Sequence, residues 1–511
     1  MINLIPLFVI IPLGTAFLIA LTSWKLKRLA DVLGFLATLS LFILSMALIG
    51  EKHIYKIGNW VPPFGINLVY DGLSSLMLII INLISFAAVI FSISYMEQYT
   101  SKYKYYTLFL LMVTGMNGVV LTGDMFNLFV FLEIASISSY ALVAFGCENE
   151  ELEASFKYLV LGSIGSTLLL FGIGLIYSIT GYLNMASISI ALANIDTSSM
   201  ILIIAIVFFI VGFGIKSALV PFHPWLPDAH PSAPAPISAM LSGVLIKALG
   251  VYAIIRVLFN VIGITPLFGM ILIVLGALSM TIGVFLAVGQ WDFKRLLAYH
   301  SISQMGYVVL GIGLGGYIIA IKGSIIIASV AILGGIFHLC NHAVFKSLLF
   351  LCSGSVEYAT GTRQLKHMGG LKEKMPVTSL TCTIASLSIA GIPPFNGFWS
   401  KLIIVLATIQ AAISYPGFIG LTIVTIIVSF VTLISFLKIL KYAFLGELPD
   451  SLKKIKESPF LMGFSLVSLA LLCLTMGILV IPDLRAIILT PAVEVITSGL
   501  DYAQDILMSL K

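Results

Sequence analysis

The stretch "GIKSALVPFHPWLPDAHPSAPAPISAMLSGVLIKALGVY", residues 214–252, sets two lysines, Lys216 and Lys247, in apolar runs on either side of a proline-crowded segment. An ammonium in hydrocarbon is costly unless something pairs with it or uses it. A proline within a span frees backbone carbonyls, and such a break is tolerated only where protein or a water-filled cavity satisfies them. The stretch therefore reads as a broken membrane helix that carries functional charge.

Composition extends this reading to the whole chain. Of 511 residues, 60% are hydrophobic and 10% charged, and a mean hydropathy of +1.13 lies beyond what a soluble domain tolerates. Apolar windows recur from end to end with short polar joints, predicting an all-α polytopic membrane protein of about 14 transmembrane helices. The first apolar run lacks a basic n-region and is followed by "WKLKR", so it reads as a retained helix rather than a cleaved signal peptide. The loops "WKLKRLAD", "EQYTSKYKYY", "DFKRL", "TGTRQLKHMGGLKEKMP" and "LKKIKESP" fall on one side and hold most of the 27 Lys and Arg. That bias places them in the cytoplasm and both termini outside, in a cell membrane. The net charge of +5 is thus topological and implies no nucleic-acid partner. Five scattered cysteines form no CxxC or CxxCH, so neither a disulfide framework nor an iron–sulfur or haem site is indicated, and no cofactor is expected.

Along the chain we expect a three-helix segment over 1–103, five-helix blocks over 104–260 and 261–445, and a last helix with a short amphipathic tail over 446–511. The external loop "EKHIYKIGNWVPPFGINLVYDG" fits a turn or short hairpin. An odd number of helices makes consecutive copies insert in opposite senses, the inverted repeat of many transporters. Each block carries a breaker beside a lysine: "KSALVPFHPW" with Lys216, and "GIPPFNGFWSK" with Lys401.

Glu133 lies near the middle of "MFNLFVFLEIASISSYALVAF", and Lys216 is its natural partner. Lys247 lies roughly 16 Å along a helix from Pro236, too deep to snorkel. The same reckoning places Arg256 about 30 Å along, where it reads as an interfacial anchor. His338, His342 and Lys346, spaced i, i+4, i+8, share one helix face and read as a relay. His-x3-His is half of a zinc-protease pattern, but Leu339 stands where the glutamate belongs, and the lysine one turn on would repel a cation. His223, Asp228 and His230 sit among five prolines and read as a rigid cavity-closing loop with a proton-access or structural role. "GFGIKS" lacks the spacing of a phosphate loop. Glu133, Lys216, Lys247, His338, His342, Lys346 and Lys401 together make a row of groups along which protons can pass.

Five segments, "FNLFVFLEIASISSYALVAFG", "PFHPWLPDAHPSAPAPISAMLSGVLIKALGVY", "DFKRLLAYHSISQMGY", "HLCNHAVFKSLLFLCSGS" and "GIPPFNGFWSK", resemble the antiporter-like subunit family shared by Mrp-type cation/proton antiporters, respiratory complex I and membrane-bound hydrogenases. The resemblance spans roughly residues 70–445. It implies 14 helices with two inverted repeats, each a half-channel around a broken helix. It also implies Glu133–Lys216 as an ion pair, Lys247 as the central link, and His338, His342, Lys346 and Lys401 in the second half. Some relatives carry glutamate where Lys401 stands. The helix of Glu133 and the segment after it look most like the D-type Mrp subunit and its hydrogenase counterparts. The resemblance therefore implies a non-enzymatic, proton-translocating subunit of a membrane-bound hydrogenase or sulfur-reducing complex. Its partners would be other membrane subunits and a redox arm with [NiFe] and iron–sulfur centres. The alternative is the D-type member of a Mrp-type Na⁺/H⁺ antiporter. Direct Na⁺ carriage is disfavoured, because Glu133 is the lone deep carboxylate and a sodium site wants several oxygens. A scaffold role is disfavoured by four mid-membrane lysines.

Overall fold

The protein, represented by a computed structural model, is described over residues 4–23, 27–193, 195 and 199–510. Trp24, Lys25 and Leu26 of the first basic loop lie outside the described residues. Among the described residues, 12 helices are long and apolar enough to cross a membrane, and three apolar helices are shorter. Of the shorter ones, α1 (Leu7–Thr22) adds one crossing, and the half-helix α8 (Met200–Lys216) adds another together with the chain beyond its break. The third, α14 (Pro376–Ala390), shares a crossing with α15 (Asn396–Ser414) across a break. The expected count of 14 is met in this way.

Between α1 and α8 run α2 (Lys27–Ala47), α3 (Gly72–Tyr95), α4 (Lys102–Leu121), α5 (Met125–Val143), α6 (Asn149–Thr180) and the short α7 (Met185–Leu192). After α8 come the short α9 (Leu226–Ser232), α10 (Ala235–Val261), α11 (Pro266–Val288), α12 (Phe293–Ala320) and α13 (Ile325–Thr360). Beyond α15 lie α16 (Ile419–Ile439), α17 (Phe460–Thr475) and three short tail helices, α18 (Pro482–Ile488), α19 (Thr490–Thr497) and α20 (Asp501–Leu510).

At one end of the bundle, β1 (His53–Lys56) and β2 (Asn67–Tyr70) pair antiparallel with His53 opposite Tyr70, the hairpin read from the sequence. We call this the hairpin end. At the opposite, loop end, Phe293 N–H donates to Arg363 O (3.0 Å) and Lys157 pairs with Asp228 (3.0 Å).

Lipid-like surroundings give helices no hydrophobic reason to associate, so close packing must do it. On α11, Gly269, Gly276 and Gly283 recur every seven residues and face α12. A Cβ at Gly276 would fall 2.7 Å from Leu310 N, and one at Gly306 of α12 would fall 2.5 Å from Gly276 O. Only glycine admits this approach.

Helix α10 is buried along its whole length and contains π-helical turns at Leu241–Leu245, Lys247–Tyr252 and Arg256–Val261. π-turns of this kind often mark functional segments. Near the hairpin end, Arg256 pairs with Asp71 (2.9 Å). Asp71 in turn caps α3 by accepting from Leu73 N (3.0 Å) and Ser74 N (2.9 Å). The reading of Arg256 as an interfacial anchor is corrected here. The arginine is only 3% exposed, because the tail covers it: Tyr502 lies 4.9 Å beneath the guanidinium, and Asn260 donates to Val495 O (2.7 Å). The tail is amphipathic as expected, with Val495, Ile496, Ala503 and Ile506 turned inward.

Burial alone would raise the Asp71 carboxyl, but Arg256 outweighs it and holds the group below its ordinary value. Its folded-state value is therefore depressed. The resulting stability is present above the unfolded carboxylate value near about 4 and is lost as pH falls through the lower folded value. Asp71→Asn strands a buried guanidinium and is expected to cost about 3–5 kcal/mol. A lowered Tm in detergent and faster proteolysis of the tail check this; unchanged melting refutes it.

Candidate functional site

Helix α5 starts at Asp124, whose carboxylate accepts from Asn127 N (2.8 Å), and carries Glu133, Ser136 and Tyr140 on one stripe. Helix α8 ends at Lys216 because Pro221 cannot continue it. Lys216 Nζ lies 3.7 Å from Glu133 Oε1 and donates to Ser136 Oγ (3.0 Å) and Tyr140 Oη (3.2 Å). Glu133 also accepts from Ser166 Oγ of α6. Its side chain is 27% exposed against 3% for Lys216, so the acid faces outward from the bundle and the base inward.

Aromatic rings wall the break. Tyr140 meets Tyr158 edge-on (4.5 Å), Tyr158 stacks on Trp225 (4.1 Å), and Trp225 Nε1–H donates to the freed Ile215 carbonyl (2.9 Å). Gly250 of α10 touches the broken end: a Cβ there would fall 2.7 Å from Ser217 Cα. The break is thus seated against α10 one turn beyond Lys247.

In the other half, Lys401 lies beyond its break, in α15, and reaches back to donate to Ile389 O (2.8 Å) and Ser429 Oγ (3.2 Å). Its ammonium also stands 4.9 Å over the Tyr307 ring. On α13, His338 meets Ser400 Oγ through Nδ1 (2.9 Å) and Gln304 Oε1 through Nε2 (3.1 Å). Lys346 donates to Leu297 O, and Lys247 to Ser242 O (2.5 Å). Both ring nitrogens of His342 are buried without a hydrogen-bond partner among the described residues. Lys247, His342 and Lys346 lie within electrostatic reach of one another, and His338 within reach of Lys247 and Lys401.

Five of the seven predicted groups, Lys247, His338, His342, Lys346 and Lys401, thus form one buried run, and Glu133–Lys216 forms a separate pair. Among the described residues no hydrogen bond or ion pair joins Lys216 to Lys247. Lys216 alone of the four mid-membrane lysines has a carboxylate within ion-pair distance there.

His223, Asp228 and His230 do not converge. His223 sits half-buried in the break, Asp228 pairs with Lys157 and Arg295 at the loop end (3.0 and 3.2 Å), and His230 is fully buried, stacked on Phe350 (4.6 Å). Among the described residues no three His, Cys, Asp or Glu side chains are placed to hold a metal ion.

Sequence reasoning missed Ser136, Tyr140, Ser166 and Gln304. The first two follow Glu133 at i+3 and i+7, a signal that was legible. It also missed His300, buried and bonded to Ser435 Oγ (2.8 Å).

Two broken helices flanking a file of buried basic groups define an antiporter-like membrane subunit. The transmembrane family model of NADH:quinone oxidoreductase and the Mrp antiporter matches residues 122–428, and the model of the complex I chain 5 N-terminus matches 58–106. The chain belongs to this antiporter-like family. It is 36% identical to the D-type subunit of the Na⁺/H⁺ antiporter of Alkalihalophilus pseudofirmus, covering 87% of each chain. It is 35% identical to the N-type subunit of the NADH-quinone oxidoreductase of Desulforudis audaxviator, over 88% of this chain and 87% of that one. Among solved structures, a chain of the Mrp complex from Dietzia superposes with a TM-score of 0.88 at 28% identity, covering 99% of both chains. A chain of an archaeal membrane-bound sulfane sulfur reductase superposes at 0.84 and 30%, covering 98% of this chain and 99% of that one.

Replacing both Ser136 by Ala and Tyr140 by Phe removes two hydrogen bonds from Lys216 and is expected to cost about 1.5–3 kcal/mol for each. The Tm of the detergent-solubilised protein reads this loss. A double variant that melts with the wild type shows the two hydroxyls to be dispensable.

Proposed function

We propose that this chain moves protons across a cell membrane as one subunit of a larger assembly, through Glu133, Lys216, Lys247, His342, Lys346, His338 and Lys401. The carrying observation is the buried run from Lys247 to Lys401, whose successive members lie within reach of the next and lack carboxylate partners among the described residues. A carboxylate beside an ammonium favours its charged form. When a neighbouring protein of the assembly displaces Glu133 on its outward-facing side, Lys216 loses that support and passes its proton inward. Water completes the path between Lys216 and Lys247, and Lys401 delivers the proton at the second break. The blocks 104–260 and 261–445 are the two half-paths, with both termini on the outer side by the positive-inside rule. His223 and Asp228 flank the access side.

Two kinds of assembly fit. The Na⁺/H⁺ antiporter relative supports a Mrp-type Na⁺/H⁺ antiporter. The sulfur reductase neighbour supports the membrane arm of a redox complex, including the hydrogenase-like form with [NiFe] and iron–sulfur subunits. Mass spectrometry of the gently purified native assembly separates them: redox-centre subunits mean the second, small membrane subunits alone the first. In either, Lys216→Ala is expected to leave assembly intact and to abolish dye-detected proton movement in vesicles. Normal movement by the assembled variant sinks the proposal.

A further inference from the structure

A second acid–lysine pair stands at the loop end, outside the row described above. Lys294 of α12 pairs with Glu357 of α13 at 2.8 Å, with side-chain exposures of 3% and 27%. These are the same exposures as Lys216 and Glu133. A base sealed inside the protein and an acid reaching outward recur in the two halves.

The surroundings give this pair an outside and an inside. Outward, Glu357 borders an open depression of about 360 Å³ whose wall also holds Glu148, Glu150, Glu151 and Arg363, and Arg363 Nε lies 3.8 Å from its second oxygen. Inward, Lys294 donates to Ala233 O (3.2 Å), at the end of the proline-rich loop. His230 of that loop is fully buried, and among the described residues neither of its ring nitrogens has a hydrogen-bond partner. It lies within electrostatic reach of Lys294, Lys346 and Lys247. Lys346 is in turn bonded to Leu297 O, three residues along α12 from Lys294 and so about 4.5 Å higher on that helix.

We propose that Glu357 and Lys294 form a proton inlet at the loop end, and that His230 carries the proton from Lys294 to the Lys346–Lys247 centre. The inference rests on the proton-moving role proposed above and adds to it where protons are taken up. Each step balances. A proton from the bath neutralises the Glu357 carboxylate, and Lys294, its counter-charge gone, gives one proton to a free nitrogen of His230. The imidazolium passes that proton to a neutral Lys346 or Lys247 amine. The Glu357 proton then restores the Lys294 ammonium, so one proton has advanced and the pair is reset. Arg363 holds the acid at the rim between turns.

The test uses the complete assembly in lipid vesicles, with proton flux read by a pH-sensitive dye and divided by the amount of assembled complex. Glu357→Gln is expected to slow flux at least about tenfold, Glu357→Asp to restore it to within about threefold, and His230→Asn to slow it like Glu357→Gln. Lys247→Ala serves as the reference, because it stops flux if the row conducts at all. Flux lost in Lys247→Ala but unchanged in Glu357→Gln and His230→Asn overturns the inlet and leaves the proposed function standing. Flux retained in Lys247→Ala removes both. Less complex at an unchanged rate per complex assigns the pair to stitching α12 to α13 and overturns the inlet. If Glu357→Gln does not assemble, His230→Asn decides alone, since that ring gives up no hydrogen bond.

Discussion

A helix that stops inside a membrane must find partners for the carbonyls it exposes, and the rest of this structure follows from how those partners are supplied. At the first break, the Trp225 indole N–H takes the Ile215 carbonyl. At the second, the Lys401 ammonium takes that of Ile389. Each solution imposes its own surroundings. The indole needs a stacking partner and finds Tyr158, which in turn fixes Tyr140, one of the two hydroxyls that hold Lys216. The ammonium needs a soft neighbour for its charge and finds the face of Tyr307.

These capped breaks stand against a helix that is itself irregular. Lys247 opens the second π-helical turn of α10, and Gly250 within that turn lets the broken end of α8 lie directly on the helix. At its far end α10 is held by Arg256–Asp71 and by the tail. The central lysine therefore sits on an element that the break presses one turn beyond it and that is clamped two turns further on, at Arg256. Meanwhile the glycine seam binds α11 to α12, the helix that carries Gln304, His300 and Lys294.

Much of this was legible in the sequence, because the cost of charge in hydrocarbon makes each buried lysine conspicuous. The two breaks, the single stripe of His338, His342 and Lys346, and the Glu133–Lys216 pairing all follow from residue type and spacing. The partners were harder to see. Serine and tyrosine are ordinary in membrane helices, and nothing local marks Ser166 as the residue that holds Glu133. Lys294 and Glu357 lie near helix ends, where a charge reads as topology, and only the folded chain shows them to be paired. Arg256 misled for the same reason: axial distance put it at an interface, whereas burial depends on the tail, far away in sequence. The split between Lys216 and Lys247 is likewise a property of three-dimensional placement.

The two breaks are approached by their lysines from the same side. Lys216 ends the half-helix that descends from the hairpin end, and Lys401 begins the half-helix that returns to it. The chain passes the two breaks in opposite directions, yet both lysines stand on the hairpin side of them. One lysine belongs to an acid–base pair, neutral as a unit when both members are ionised, and the other has no carboxylate within ion-pair distance among the described residues. A membrane potential does about 2.3 kcal/mol of work per 100 mV on a whole charge carried across. It therefore acts on a charged ammonium at Lys401 as on a monopole, while at Glu133–Lys216 it mainly turns a dipole. The two breaks therefore answer the same field differently.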